Sequence, residues 1–173
     1  KFVSGAGDNP GSANLADTQQ DKILEFIRGL HADTIIIDLG PGSAFTVLDY
    51  YNFAVQGVIV TIPEMPSIMN AFSFVKNALF RLLYQQMDHS QKLASLTDFS
   101  QNPEAANNVF SINQLKEKIG DKEPSLIPKI DSIVESFCPH LVINRVRKQR
   151  DLMLGQNLKK LVRKYLNVEL NYL

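Results

Sequence analysis

Tryptophan is absent from these 173 residues, cysteine occurs once and histidine three times. A lone Cys138 excludes an intrachain disulfide and fits a reducing compartment. Charge of one sign is also missing, because 18 Lys and Arg face 18 Asp and Glu. Zero net charge argues against nucleic-acid or membrane binding driven by the overall field of the protein. No apolar run approaches the roughly 20 residues of a membrane-spanning helix. The opening "KFVSGAGDNP" has no apolar leader pattern. A cytoplasmic protein is expected. His31, His89 and His140 are scattered, and no His/Cys/Asp cluster has metal-ligand spacing. "CPH" at 138–140 reads as a helix-to-strand turn. Nucleophile arrangements such as Gly-x-Ser-x-Gly do not occur. Asp49 and Glu64 read as a surface acid and a turn acid, not as an acid/base pair.

What remains is an apolar, periodic chain. At 45% hydrophobic residues it is long enough to bury one core. "KFVSG" reads as a strand end closed by a loop from Gly5 to Gly11. Ile23, Leu24, Ile27 and Leu30 recur at helical spacing after the cap candidates Asp17 and Thr18. "FTVLDYYNFA" fits a short helix. A long helix begins near Pro66, with Ile68, Phe72, Val75, Leu79 and Leu82 as its stripe. Further helices carry Ile127, Ile130, Ile133, Val134 and Phe137, and then Leu154, Leu158, Leu161, Val162 and Tyr165. "TIIIDLG", "GVIVTIP" and "HLVINRV" are apolar without alternation, as in parallel strands buried on both faces. "VELNYL" gives one more strand. Alternating strands and helices predict an α/β domain spanning 1–173 with a mainly parallel sheet. Residues 88 to 128 are polar and too long for an αβ connection, so an inserted subdomain or lid is expected there, with a short helix around Ile112 to Ile119.

The stretch "IIIDLGPGSAF" carries the most chemistry. An apolar strand ends on Asp38 and turns through Gly40, Pro41 and Gly42. Its plain reading is a strand that stops on an acid and turns on glycines. Its functional reading is a carboxylate holding a hard cation through water, with backbone N–H groups facing a phosphate. In open parallel sheets ligands bind beyond the carboxyl ends of the strands, and Asp38, Pro63 and Asn144 are all expected there.

The residues that follow sharpen the choice. Asp38 and Gly42 are followed about twenty residues later by "TIPEMPSI" and a long helix, then by "LVINRVR". In order and spacing this resembles the MinD/ParA group of P-loop ATPases, closest to the MinD-like and flagellar-number-regulator branch. The resemblance implies a three-layer P-loop NTPase-like fold with ATP and magnesium as cofactors. It places Asp38 at the Walker-B position with a water-mediated magnesium contact. Gly42 falls in switch II with its amide near the γ-phosphate, both residues serving catalysis. Asn144 falls next to adenine with Arg145 beside it, and Pro63 lies in the same nucleotide-binding turn. It also implies an ATP-ordered switch, a homodimer in the intact protein and recruitment of a protein partner.

The family's phosphate loop, with its Lys-Gly-Gly and Gly-Lys-Thr/Ser runs, appears nowhere in the sequence. "SGAGDNPGSAN" is Gly-rich but contains no Lys. The expectation is a fold incomplete at both ends, a fragment of a longer ATPase that does not hydrolyse ATP by itself. Without the phosphate-loop strand, Ile35 to Ile37 lack a neighbour on one side. The alternative from another class is a non-catalytic interaction module that keeps the fold without binding nucleotide. A third rests on the basic run "NRVRKQR" and "LKKLVRKY", whose plain reading is a solvated face and whose functional reading is a groove for an acidic partner or nucleic acid.

Overall fold

Apolar residues at helical spacing became helices along the whole described chain, whereas apolar runs became strands only where a partner strand lay beside them. The computed structural model describes residues 17–87, 111–121 and 123–173. The expected "KFVSG" strand end, the Gly5–Gly11 loop, His89 and the 88–110 part of the expected insertion fall outside these residues.

Helices α1 (Asp17–Arg28) and α2 (Phe45–Phe53) lead to strand β1 (Val58–Thr61) and the long α3 (Met65–Gln86). Then come α4 (Ile112–Gly120), a 3-10 turn (Pro124–Leu126), α5 (Ile127–Ser136) and β2 (His140–Ile143). The chain continues through α6 (Gln149–Leu166) to β3 (Asn171–Tyr172). The three strands form a parallel sheet in the order β1-β2-β3, with Val58 opposite His140 and Thr61 opposite Ile143. The fold is α/β with a small parallel sheet.

The core follows from the stripes. In α3, Ile68, Phe72, Val75, Leu79 and Leu83 are buried, with Leu79 and Leu83 fully so. Against them pack Ile130 and Ile133 of α5 and Leu158, Val162 and Leu166 of α6, all inaccessible or nearly so. Pro66 sits in the first turn of α3, where the missing N–H costs nothing. The α6 helix stops at Asn167, in the left-handed region at φ 56, a conformation Asn tolerates better than most side chains. Gly57 admits no side chain, because a Cβ there would fall 2.3 Å from the ring of buried Tyr51.

Three expectations change. In the 111–128 part of the expected inserted subdomain or lid, the described apolar residues join the common core. Ser111 caps α4 through the Gln114 N–H while the Gln114 side chain accepts from the Ser111 N–H, a reciprocal capping box. Ile112, Leu115, Ile119 and Leu126 are then at most 2% exposed. The polar residues of this stretch lie on the helix's outer side and masked the apolar spacing of three and four. Next, "TIIIDLG" forms no strand with any other described residue. Residues 34–40 carry no ladder among the described residues, and Ile36 is 88% exposed. A strand exists only through backbone bonds to another strand, and none among the described residues lies beside this one. Finally, "GVIVTIP" is not buried on both faces. Ile59 and Thr61 face the helices, but Val58 and Val60 are 53% and 63% exposed.

Candidate functional site

The carboxyl edge of the sheet is built by continuing the β1–β2 pairing one residue past the strands. The Asn144 N–H donates to the Thr61 carbonyl at 2.7 Å, which sets Asn144 beside the Ile62–Pro63 turn. The turn is tight: the Glu64 N–H reaches the Ile62 carbonyl at 2.8 Å, and exposed Glu64 stands at the N-cap position of α3 with no capping bond from its side chain, a turn acid as expected. The Thr61 hydroxyl donates to the Ser67 carbonyl at 3.1 Å and locks the strand end to the first turn of α3. Pro63 and Asn144 thus come together at the ends of neighbouring parallel strands, where ligands of open α/β sheets bind.

Asn144 itself is exposed, and its Oδ1 accepts the Arg145 N–H at 2.8 Å. Arg145 follows at φ 58, in the left-handed region that L side chains with a long stem rarely adopt. The side-chain bond from Asn144 is what holds it there. We expect Arg145→Gly to raise stability by about 0.5–1 kcal/mol, since relief of left-handed strain exceeds the added unfolded-state entropy of glycine. Chemical denaturation measures it, and a loss of stability would mean that the Arg145 side chain contributes contacts worth more than the strain.

The cationic loop after Asn144 is organised by one acid. Asp151, at the third position of α6, accepts from the Arg147 N–H at 2.9 Å and the Lys148 N–H at 3.0 Å. Those bonds, Arg147 first, hold its carboxyl below the usual carboxylate range despite partial desolvation. Its Oδ2 is therefore engaged by the loop's backbone and its Oδ1 lies 4.0 Å from Arg150 Nε, and Arg145, Arg147, Lys148 and Arg150 stand exposed around it.

Asp38 and Gly42 lie elsewhere in the construction. Both are exposed on the segment 31–44, and Gly42 has φ 101. Among the described residues no hydrogen bond or ion pair ties either to the ends of β1 or β2. Among the described residues, Asp38 therefore does not join Pro63 and Asn144 at the ends of paired strands. No group of three or more His, Cys, Asp or Glu able to hold a metal occurs among the described residues. Asp38 offers a single carboxylate, which suits a cation that keeps most of its water.

Asp49, expected at the surface, is the correction with most consequence. Its carboxylate has a side-chain exposure of only 11%. It accepts from Arg81 Nε at 2.6 Å, from Arg81 Nη2 at 2.8 Å and from Gln85 Nε2 at 2.6 Å, with Gln20 Nε2 at 3.4 Å. Arg81 also lies over the Phe45 ring at 4.8 Å. This hub joins α1, α2 and α3. Asp49 stands four residues after Phe45 and three before Asn52, on the inward side of α2, and that spacing was its signal in the sequence.

At the opposite edge of the sheet, the "CPH" turn joins α5 to β2 as expected. Asn171 Nδ2 donates to Cys138 Sγ at 3.1 Å and lies 3.4 Å from His140 Nε2, and Cys138 is a free, exposed thiol. No described helix is long and apolar enough to cross a membrane. Comparison with known proteins gave no matching family model, curated protein or solved structure.

Proposed function

We propose that this chain is part of a nucleotide-dependent switch ATPase of the MinD/ParA type, in a three-layer P-loop NTPase-like domain. The observation that carries the reading is the meeting of Asn144, Arg145 and the Pro63 turn at the carboxyl edge of a parallel sheet. The Asn144 amide supplies a donor and an acceptor on an exposed rim, as adenine recognition requires. Arg145 adds a cation beside it.

Two further features support the reading. Gly42, at positive φ in an exposed loop, lets a backbone N–H approach a phosphate without a side chain in the way. In the group that the sequence resembles, the strand leading into the phosphate loop pairs with the strand that ends in the metal-binding Asp. Ile36, Val58 and Val60 are exposed, an apolar surface that a further element of that fold would cover. Asp38 would hold magnesium through water, and magnesium, when bound, neutralises charge on the phosphate oxygens. The protein's own contribution is positioning: Asn144 for the base, Gly42 and Asp38 for the phosphate end. A cytoplasmic homodimer that recruits a protein partner completes the proposal.

The test is titration of the longer protein, phosphate loop included, with fluorescent ATP in the presence of magnesium. Asn144→Ala should weaken binding about tenfold, the equivalent of one hydrogen bond in a partly exposed site. Nucleotide affinity unchanged by that substitution would remove Asn144 from the site and with it the main support for the reading.

A further inference from the structure

Residues 144–148 join β2 to α6 at the carboxyl edge of the sheet, and they are held from both sides. On the sheet side the Asn144 N–H donates to the Thr61 carbonyl at 2.7 Å, and the Arg145 N–H donates to Asn144 Oδ1 at 2.8 Å. On the helix side Asp151 Oδ2 accepts from the Arg147 N–H at 2.9 Å and from the Lys148 N–H at 3.0 Å. The Asp151 N–H in turn donates to the Lys148 carbonyl at 2.9 Å. Only Val146 stands between the two sets of bonds, and it is 39% exposed.

Burial does not shape this loop, because every residue from Asn144 to Lys148 is exposed. Its bonds do. Arg145 at φ 58 occupies a conformation that relaxes unless its neighbours hold it. Asp151 does more than cap α6. An acid at the third helical position reaches back to the N-cap N–H, here that of Lys148, in an ordinary capping box. The second bond, to Arg147, lies one residue further upstream and serves the loop instead of the helix. The Arg147 bond also keeps the carboxyl below the usual carboxylate range, so the acceptor is ionised at neutral pH and both bonds are charge-assisted.

We propose that Asp151 is a positioning residue for the base-binding end of the nucleotide site and acts through Asn144 without touching the ligand. The proposal rests on the nucleotide reading. Asp151 pins Arg147 and Lys148, and the pinned loop keeps the Arg145 N–H against Asn144 Oδ1. That last bond orients the Asn144 amide, since a flipped side chain would set its NH2 against an N–H. The amide is then in place before nucleotide arrives, and binding does not have to order it. Without Asp151 the loop is free to leave the left-handed turn, and the ordering cost falls on the binding step.

The experiment is a double-mutant cycle in the longer protein, read by titration with fluorescent ATP and magnesium. Asp151→Ala should weaken binding about fivefold. Asp151→Asn keeps a side-chain oxygen as acceptor and should restore most of that loss. In an Asn144→Ala background Asp151→Ala should cost less than about twofold more, because the residue through which it acts is already gone. Amide hydrogen exchange in the 173-residue chain supplies a readout without nucleotide. Asp151→Ala should speed exchange at Arg145, Arg147 and Lys148 about tenfold or more and leave Leu141 and Val142 of β2 unchanged. Unchanged affinity in Asp151→Ala, a full loss persisting in the Asn144→Ala background, or unchanged exchange at Arg145 would each overturn the inference while Asn144 keeps its place in the site. Acceleration that extends into β2 would make Asp151 a structural acid and overturn it as well. Nucleotide affinity unchanged by Asn144→Ala alone would remove the nucleotide reading and this inference together.

Discussion

Asp49→Ala is expected to cost about 3 kcal/mol of folding stability and to lower the melting temperature by roughly 6–10 °C, the scale for a chain of this size. The reason is the position of the pair. Both Asp49 and Arg81 are largely shielded, with side-chain exposures of 11% and 19%. Removing the carboxylate takes its bidentate acceptor from a guanidinium that water reaches poorly, whereas the exposed Gln85 amide can turn to solvent. Residual access for water to Arg81 keeps the loss at the lower end of what breaking a buried pair costs. The partner substitution separates charge from packing. In an Asp49→Ala, Arg81→Met double variant most of the loss should be recovered, because no charge is then stranded. Thermal denaturation of both variants and the two single ones closes the cycle. If Asp49→Ala loses less than about 1 kcal/mol, the hub is a surface ion pair in energetic terms and does not tie the three helices together.

Asp38→Ala should behave in the opposite way. The carboxylate is exposed, and among the described residues no cation pairs with it. Its removal should change stability by no more than about 0.5 kcal/mol, as at ordinary surface sites. In the longer protein that we propose, magnesium-dependent ATP hydrolysis should nevertheless fall about 10–100-fold, the usual effect of losing a group that acts on a metal through water. Steady-state phosphate release against magnesium concentration gives the activity, and denaturation gives the stability. Parallel losses in both would identify Asp38 as a structural acid and sink the Walker-B assignment. Unchanged hydrolysis would do the same.

The contrast between these two aspartates shows where sequence reading reached and where it stopped. Asp38 drew notice because it ends an apolar run and precedes two glycines, a pattern visible in six residues. Asp49 drew little, because its partners lie 29 to 36 residues away and only folding brings them near. The helices were legible for the same reason that Asp38 was. Ile68, Phe72, Val75 and Leu79 record a local geometry of 3.6 residues per turn, and the buried face of α3 follows directly. Ile112, Leu115 and Ile119 carried the same signal, but the polar residues between them and the length of the stretch suggested a lid.

The sequence by itself determined the helical stripes of the described chain and the presence of Pro63 and Asn144 at strand ends, since each rests on residues near one another in the chain, while the parallel sheet was legible only from the alternation of strands with helices. Only the tertiary structure decided which apolar runs become strands. Ile35 to Ile37 and Leu141 to Ile143 are equally apolar, yet among the described residues only the second is paired, with β1 beside it. A strand's hydrogen bonds are made to a distant segment, so its existence depends on what lies beside it and not on its own residues. The same holds for charge. An aspartate is a surface acid or the hub of three helices according to whether an arginine from another helix reaches it, and for Asp49 that was settled when α3 packed against α2.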